Sequence, residues 1–179
     1  MRLKEYYKKE ILPELKKRLN IKNDLAAPRL VKAVLNVGFG RNSKDKELIK
    51  FIEDNLTIIA GQKPMLNKAK KAVSAFKIKE GMIIGASVTL RGRRMWDFVE
   101  RLINVYLPRV RDFRGVNPKS IDRTGCLTIG FKDILPFAEI EVRDLEKLHG
   151  LEVCLATTAK NSQEGLELFR LLKFPLRKE

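Results

Sequence analysis

From the N-terminus an apolar side chain recurs at every fourth position, as Leu3, Tyr7, Ile11, Leu15 and Leu19, with lysines between them. This spacing predicts an amphipathic helix, bent near Pro13, whose ring removes a backbone donor. Asn20 to Pro28 reads as a polar connector. Strict alternation follows, with Val31, Ala33, Leu35 and Val37 on one side of a strand and Lys32, Val34 and Asn36 on the other. Gly38-Phe39-Gly40 ends that strand. Ser43 is the expected N-cap of a second helix, with Asp45 in its first turn. Its stripe of Leu48, Ile52, Leu56 and Ile59 stops at Gly61.

A short strand from Gln62 to Lys68, a basic loop from Ala69 to Gly81 and a long strand from Met82 to Arg91 come next. On the long strand Ile84, Ala86, Val88 and Leu90 form an apolar face, opposite Gly85, Ser87, Thr89 and Arg91. Met95, Phe98, Leu102 and Tyr106 repeat at helical spacing up to Pro108. Arg109 to Arg123 is a loop. Two strands follow, Cys126 to Phe131 and Leu151 to Thr157, with an irregular acidic segment between them. Asn161 or Ser162 opens a last helix through Leu172, with Pro175 beyond it. Without strict βαβ alternation, this order predicts an α+β fold with a mainly antiparallel sheet, helices packed on one face and the other face open. A chain of 179 residues suits a single domain, with an N-terminal helix, a sheet with a basic segment at 61–94, and a far lobe at about 109–150.

Charge turns that open face into a candidate surface. The formal net charge is +15. Between Gly61 and Arg94 stand Lys63, Lys68, Lys70, Lys71, Lys77, Lys79, Arg91, Arg93 and Arg94, against Glu80 alone. From Asp133 to Glu152 the sign reverses, with Asp133, Glu139, Glu141, Asp144, Glu146 and Glu152 against Arg143 and Lys147. A patch of one sign builds a potential that steers polyanions, and each phosphate neutralised releases condensed counterions. Nucleic acid is therefore the expected partner class. Asn36, Ser87, Thr89, Arg91 and Thr128 would populate the open face as a platform for folded RNA, which is read by shape, phosphate and 2′-OH contacts. Within the basic loop, Phe76 fits either a nucleic-acid contact or an anchor into the core. Trp96 reads as helix packing.

The chemistry of an enzyme is hard to find. Gly38-Phe39-Gly40-Arg41-Asn42-Ser43 opens like a dinucleotide fingerprint, but Ser43 replaces its third glycine and no parallel βαβ unit surrounds it. The one histidine, His149, and two distant cysteines, Cys126 and Cys154, make a poor inventory for a metal site or a nucleophile–base pair. His149 is expected to be structural or at the surface, and the cysteines small buried residues in a reducing compartment. No cofactor and no metal are expected. No stretch has the run of apolar residues a membrane span needs, and the charged N-terminus has no apolar signal region, so a cytoplasmic protein is expected.

Seven short segments then fall in order: Pro28-Arg29-Leu30 leading to Asn36-Val37-Gly38-Phe39-Gly40, Leu56 through Pro64, Phe76 through Gly81, Val88 through Gly92, Pro108 through Gly115, and Thr157-Thr158-Ala159-Lys160. With them, over essentially its whole length, the chain resembles the bacterial form of large-subunit ribosomal protein five. That family binds 5S rRNA in the central protuberance. The resemblance implies a non-enzymatic, ribosome-bound scaffold. It implies 5S rRNA contacts at Asn36, Gln62, Lys63, Ser87, Thr89 and Arg91. It also implies a loop that reaches transfer RNA in the peptidyl site, with Lys70, Lys71, Ser74, Phe76, Lys77 and Lys79. Large-subunit rRNA and small-subunit ribosomal protein thirteen are the other implied partners. The intersubunit bridge to the latter would use Asp112, Arg114, Gly115, Glu139 and Glu141, since an acidic surface suits a basic protein. Three departures from the family pattern stand out. Asn67 takes the place of a usual threonine, Ile121 to Cys126 lacks a Phe before the Asp and an Asn-Tyr after the Gly, and Phe137-Ala138-Glu139 lacks a proline.

Overall fold

Proline shapes the first helix. The computed structural model describes residues 2–40, 45–140 and 148–177. Helix α1 (residues 3–19) begins as Leu3–Tyr6, widens into a π-helical turn at Tyr7–Ile11 and resumes as Leu12–Leu19. The Leu12 N–H reaches back five residues to the Tyr7 carbonyl, immediately before Pro13, which has no N–H to offer. The expected bend is thus a widened turn just ahead of the proline.

Strand β1 is Leu30–Gly38, and helix α2 is Lys46–Ala60. The N-cap of α2 is Asp45 and not Ser43, which lies outside the described residues. The Asp45 carboxylate accepts from the Glu47 and Leu48 N–H groups at 3.0 and 3.1 Å, and a carboxylate also suits the positive end of the helix dipole. Gly61, with φ +64°, closes the helix in the left-handed region. Strand β2 is Met65–Lys68, shorter than the spacing predicts, because Pro64 cannot donate to a ladder. Strand β3 is Ile83–Leu90. Arg91 is not on that strand but is the N-cap residue of helix α3 (residues 92–109). This helix repeats the device of α1, with a π turn at Leu102–Tyr106, the Leu107 N–H on the Leu102 carbonyl and Pro108 next. Strands β4 (Leu127–Phe131) and β5 (Leu151–Thr157) and helix α4 (Ser162–Leu171), capped by Asn161, complete the set.

The five strands form one antiparallel sheet in the order β2-β3-β1-β5-β4, with helices, as an α+β fold requires. The alternation predicted for β1 and β3 is largely present, and β4 and β5 alternate as well. Ala33, Leu35 and Val37 are buried on β1, Ala86, Val88 and Leu90 on β3, Leu127, Ile129 and Phe131 on β4, and Leu151, Val153 and Leu155 on β5. On β3 Gly85 is buried beside half-buried Ile84, and the reading also fails where β1 begins. Leu30 is buried and Val31 is exposed, the reverse of the sequence reading.

Two compact units emerge from the packing. The first holds residues 1–33, 90–129 and 154–179. In it the Tyr7 ring lies 5.4 Å from that of Trp96, so Trp96 packs helix on helix as expected. The Tyr7 hydroxyl donates to the Pro28 carbonyl at 2.8 Å. Burial raises its pKa, with the Arg29 charge opposing. Cys126 and Cys154 are free and half-buried, less enclosed than expected. The second unit holds residues 34–89 and 130–153. Its buried residues include Ile52, Leu56 and Ile59 of α2, and Phe131 set edge-on to Phe137 at 5.2 Å.

Candidate nucleic-acid interface

The antiparallel β2–β3 hairpin of the second unit sets Met65 opposite Ser87, Leu66 opposite Ala86 and Asn67 opposite Gly85, with a bulge between Asn67 and Lys68. Directly opposed residues share a face. Leu66 and Ala86 therefore point to the core side, and Met65, Asn67 and Ser87 to the other. Asn67 Nδ2 donates to Ser87 Oγ at 3.1 Å, and Ser87 Oγ donates back to Asn67 Oδ1 at 3.3 Å. Beside this pair, Gly85 lets β1 approach β3 closely. A Cβ there would stand 2.9 Å from the Val37 carbonyl oxygen and 3.9 Å from Asn67 Nδ2, so only glycine admits β1 so close. Thr89, exposed, extends the row one step further along β3.

The remaining platform residues are placed separately. Asn36, half-buried on β1, donates through Nδ2 to Glu152 Oε2 on β5 at 3.3 Å. Gln62 is half-buried just after α2, and Lys63 is exposed and ion-paired to Glu53 Oε1 at 3.4 Å. Arg91 belongs to the first unit, exposed where its backbone caps α3 and with no side-chain cap bond. Thr128, also in the first unit, is exposed between buried Leu127 and Ile129.

The segment predicted as a basic loop is more ordered than a loop. Val73 and Ile78 exchange backbone hydrogen bonds of 2.9 and 3.1 Å, a single 3₁₀ turn at Ser74–Phe76 crosses between them, and Lys77 takes φ +54°. Ala69, buried, ties the base through bonds to Met82 and Gly81. The result is a small hairpin whose Lys70, Lys71, Ser74, Phe76, Lys77 and Lys79 are all exposed. Phe76 is 70% exposed at the turn, so it is no core anchor.

The bridge candidates fall into different units. Asp112, Arg114 and Gly115 are in the first, where Gly115 has φ +96° and lies against the C-terminal segment. There the Val116 N–H donates to the Pro175 carbonyl at 2.8 Å and the Arg177 N–H to the Val116 carbonyl at 2.9 Å. Glu139 is exposed in the second unit, and Glu141 lies outside the described residues.

Comparison with known proteins decides the family. A family model described as "Ribosomal protein L5" matches residues 23–79, and the model of the same ribosomal family's C-terminus matches 83–176. The chain belongs to the ribosomal protein L5 family. It is 48% identical over 176 residues to the large ribosomal subunit protein uL5 of Cupriavidus metallidurans, covering 98% of each chain. Against the protein of the same name from Halothermothrix orenii it is 46% identical over 173 residues, covering 97% of each. Against that of Colwellia psychrerythraea it is 43% identical over 178 residues, covering 99% of this chain and 98% of the relative. Membership of the L5 family makes the chain a ribosomal protein and not an enzyme.

In this L5-family chain the lone histidine has a structural setting. His149 packs edge-on to Phe51 with centroids 6.3 Å apart. Its Nδ1 faces the Gly150 carbonyl at 3.2 Å, so the neutral ring carries its proton there, and Nε2 accepts from Asn55 Nδ2 at 3.4 Å. Asn55 is the one buried polar residue among those described. Burial lowers the His149 pKa below its ordinary 6.5. The unfolded chain therefore takes up the proton first as pH falls. Stability from this group is complete above about pH 6.5 and declines as pH drops toward the lowered folded value. The urea midpoint should fall between pH 7.5 and 5.5, and a His149→Gln variant should fall less over the same interval. Equal slopes would show that His149 does not contribute. Among the described residues no group of three or more His, Cys, Asp or Glu could hold a metal ion, and no helix is long and apolar enough to cross a membrane.

Sequence reasoning marked Asn67 only as a departure from pattern. Its pairing with Ser87 could not be read from the chain, because strand register depends on partners twenty residues apart.

Proposed function

We propose that this chain is a structural protein of the large ribosomal subunit that binds 5S rRNA and attaches it in the central protuberance. It would be ribosome-bound in the cytoplasm. Asn36, Gln62, Lys63, Ser87, Thr89 and Arg91 contact the 5S rRNA in this reading. The hairpin carrying Lys70, Lys71, Ser74, Phe76, Lys77 and Lys79 reaches peptidyl-site tRNA. Large-subunit rRNA is a further partner. Asp112, Arg114, Gly115, Glu139 and Glu141 supply the bridge to small-subunit protein thirteen.

One observation carries the reading. The β2–β3 hairpin turns Asn67, Ser87 and Thr89 away from a face of buried Ala86 and Val88, and it lies in a stretch of sequence with nine cations and one carboxylate. Amide and hydroxyl groups on such a face can meet 2′-hydroxyls and phosphates, while the flanking lysines neutralise charge. The relatives' name supports the assembly, since each is a large ribosomal subunit protein.

A gel-shift titration against 5S rRNA, with transfer RNA and a plain RNA duplex as competitors at two salt concentrations, tests it. Preferential binding to 5S rRNA that survives both competitors is the expected result. Equal binding to all three, collapsing steeply with salt, would reduce the chain to a basic RNA binder. Arg91→Ala should weaken the 5S complex about tenfold. The fold should be unchanged, because the Arg91 side chain is exposed and makes no cap bond. Unaltered affinity would remove Arg91 from the site.

A further inference from the structure

Resting on the 5S rRNA reading, we infer that Met65 is an RNA-contact residue, the apolar element of an otherwise hydrogen-bonding platform. Met65 is 68% exposed, and β2 is an edge strand of the sheet. A single exposed apolar side chain is ordinary on a protein surface. Met65 differs in its place. Register sets it directly opposite Ser87, on the same face as the Asn67–Ser87 pair. The core positions of the hairpin are filled without it, by half-buried Leu66 and buried Ala86 and Val88.

The charge around it selects the partner. From Gly61 to Lys79 the chain has no carboxylate, and Lys63, which is ion-paired to Glu53, and Lys68 flank Met65 on either side. Protein interfaces are depleted of lysine at their cores, and lysines on a short edge strand discourage pairing with another strand. An RNA surface fits both features. The wide, shallow minor groove of an RNA helix, or an unstacked base beside it, offers ribose and base faces with little charge of their own. A thioether chain with three rotatable bonds can adapt to such a relief. Asn67 and Ser87 would then hydrogen-bond beside an apolar contact that excludes water from them.

The test separates apolar contact from charge. Met65→Ala should weaken 5S rRNA binding about tenfold, the effect of burying most of one large apolar side chain. The slope of log affinity against log salt should not change, because no charge is lost. Met65→Leu should restore most of the affinity. The urea midpoint of Met65→Ala should match that of the unsubstituted chain, as expected for an exposed position. If the unsubstituted chain prefers 5S rRNA and Met65→Ala binds within twofold of it, Met65 is no contact and the platform stands without it. If the unsubstituted chain shows no preference among the RNAs, the platform falls and Met65 with it.

Discussion

Gly165→Ala is expected to lower the thermal midpoint by about 9 °C, a loss of about 3 kcal/mol. The sign runs against helix propensity. In an exposed helix interior, alanine in place of glycine gains up to about 1 kcal/mol. Here a Cβ on Gly165 would stand 2.6 Å from both the Cα and the carbonyl oxygen of Gly125, and 2.9 Å from its carbonyl carbon. All three are backbone atoms, so no rotamer change relieves the contact. Gly125 cannot retreat easily. It sits at φ +76°, and a Cβ of its own would meet Ala159 at 2.6 Å and the Asn161 carbonyl oxygen at 2.8 Å.

The loop that carries Gly125 is also braced from within. Asp122 Oδ1 accepts the Cys126 N–H, the Thr124 N–H and the Thr124 hydroxyl at 2.8, 2.9 and 2.8 Å. Desolvation pulls the pKa of the exposed Asp122 upward, but these donors outweigh it and hold the carboxyl below its ordinary value. The Thr157 hydroxyl adds a bond to the Gly125 carbonyl at 2.9 Å. Gly130→Ala is the control, since nothing lies within 4 Å of the added methyl. It should shift stability by less than about 1 kcal/mol. Calorimetry on the two variants decides the matter, and equal midpoints would mean that the loop yields.

Reversing two charges at the tip of the basic hairpin should separate two RNA activities. With Lys77→Glu and Lys79→Glu together, transfer-RNA binding is expected to fall about tenfold or more at low salt. Its salt slope should become shallower by about 2, one for each phosphate contact removed. The 5S rRNA complex should keep its affinity within about threefold. Both side chains are exposed, and the hairpin closes through backbone bonds between Val73 and Ile78, so the fold should survive the change. Parallel titrations with the two RNAs read the outcome. Equal losses would mean that one surface serves both ligands, and no loss with transfer RNA would detach the hairpin from it.

Much of the candidate site was legible before the fold. Alternation along β3 separates Ser87 and Thr89 from Ala86 and Val88, and the structure buries the second pair and not the first. Concentration of charge between Gly61 and Arg94 is a property of the chain, and the exposed lysines of the hairpin express it. Other positions were misread for local reasons. Arg91 continues the period of β3, but a strand ends where its backbone turns, and Gly92 with φ +57° follows at once. The segment from Ala69 to Gly81 lacks a long apolar repeat, so a hairpin closed by one pair of residues left no pattern to find.

The sequence alone determined the order of the main helices and strands, the α+β class, the core-facing side of most of β1 and β3, and the family. These depend on the order of residues along one chain, over distances no longer than a helix or strand. Tertiary structure decided the Asn67–Ser87 pair, the surface at Met65, the demand for glycine at Gly85 and Gly165, and the neutral setting of His149. Each depends on what stands opposite across a gap in the chain, and a local pattern carries no information about register or about how closely two backbones approach.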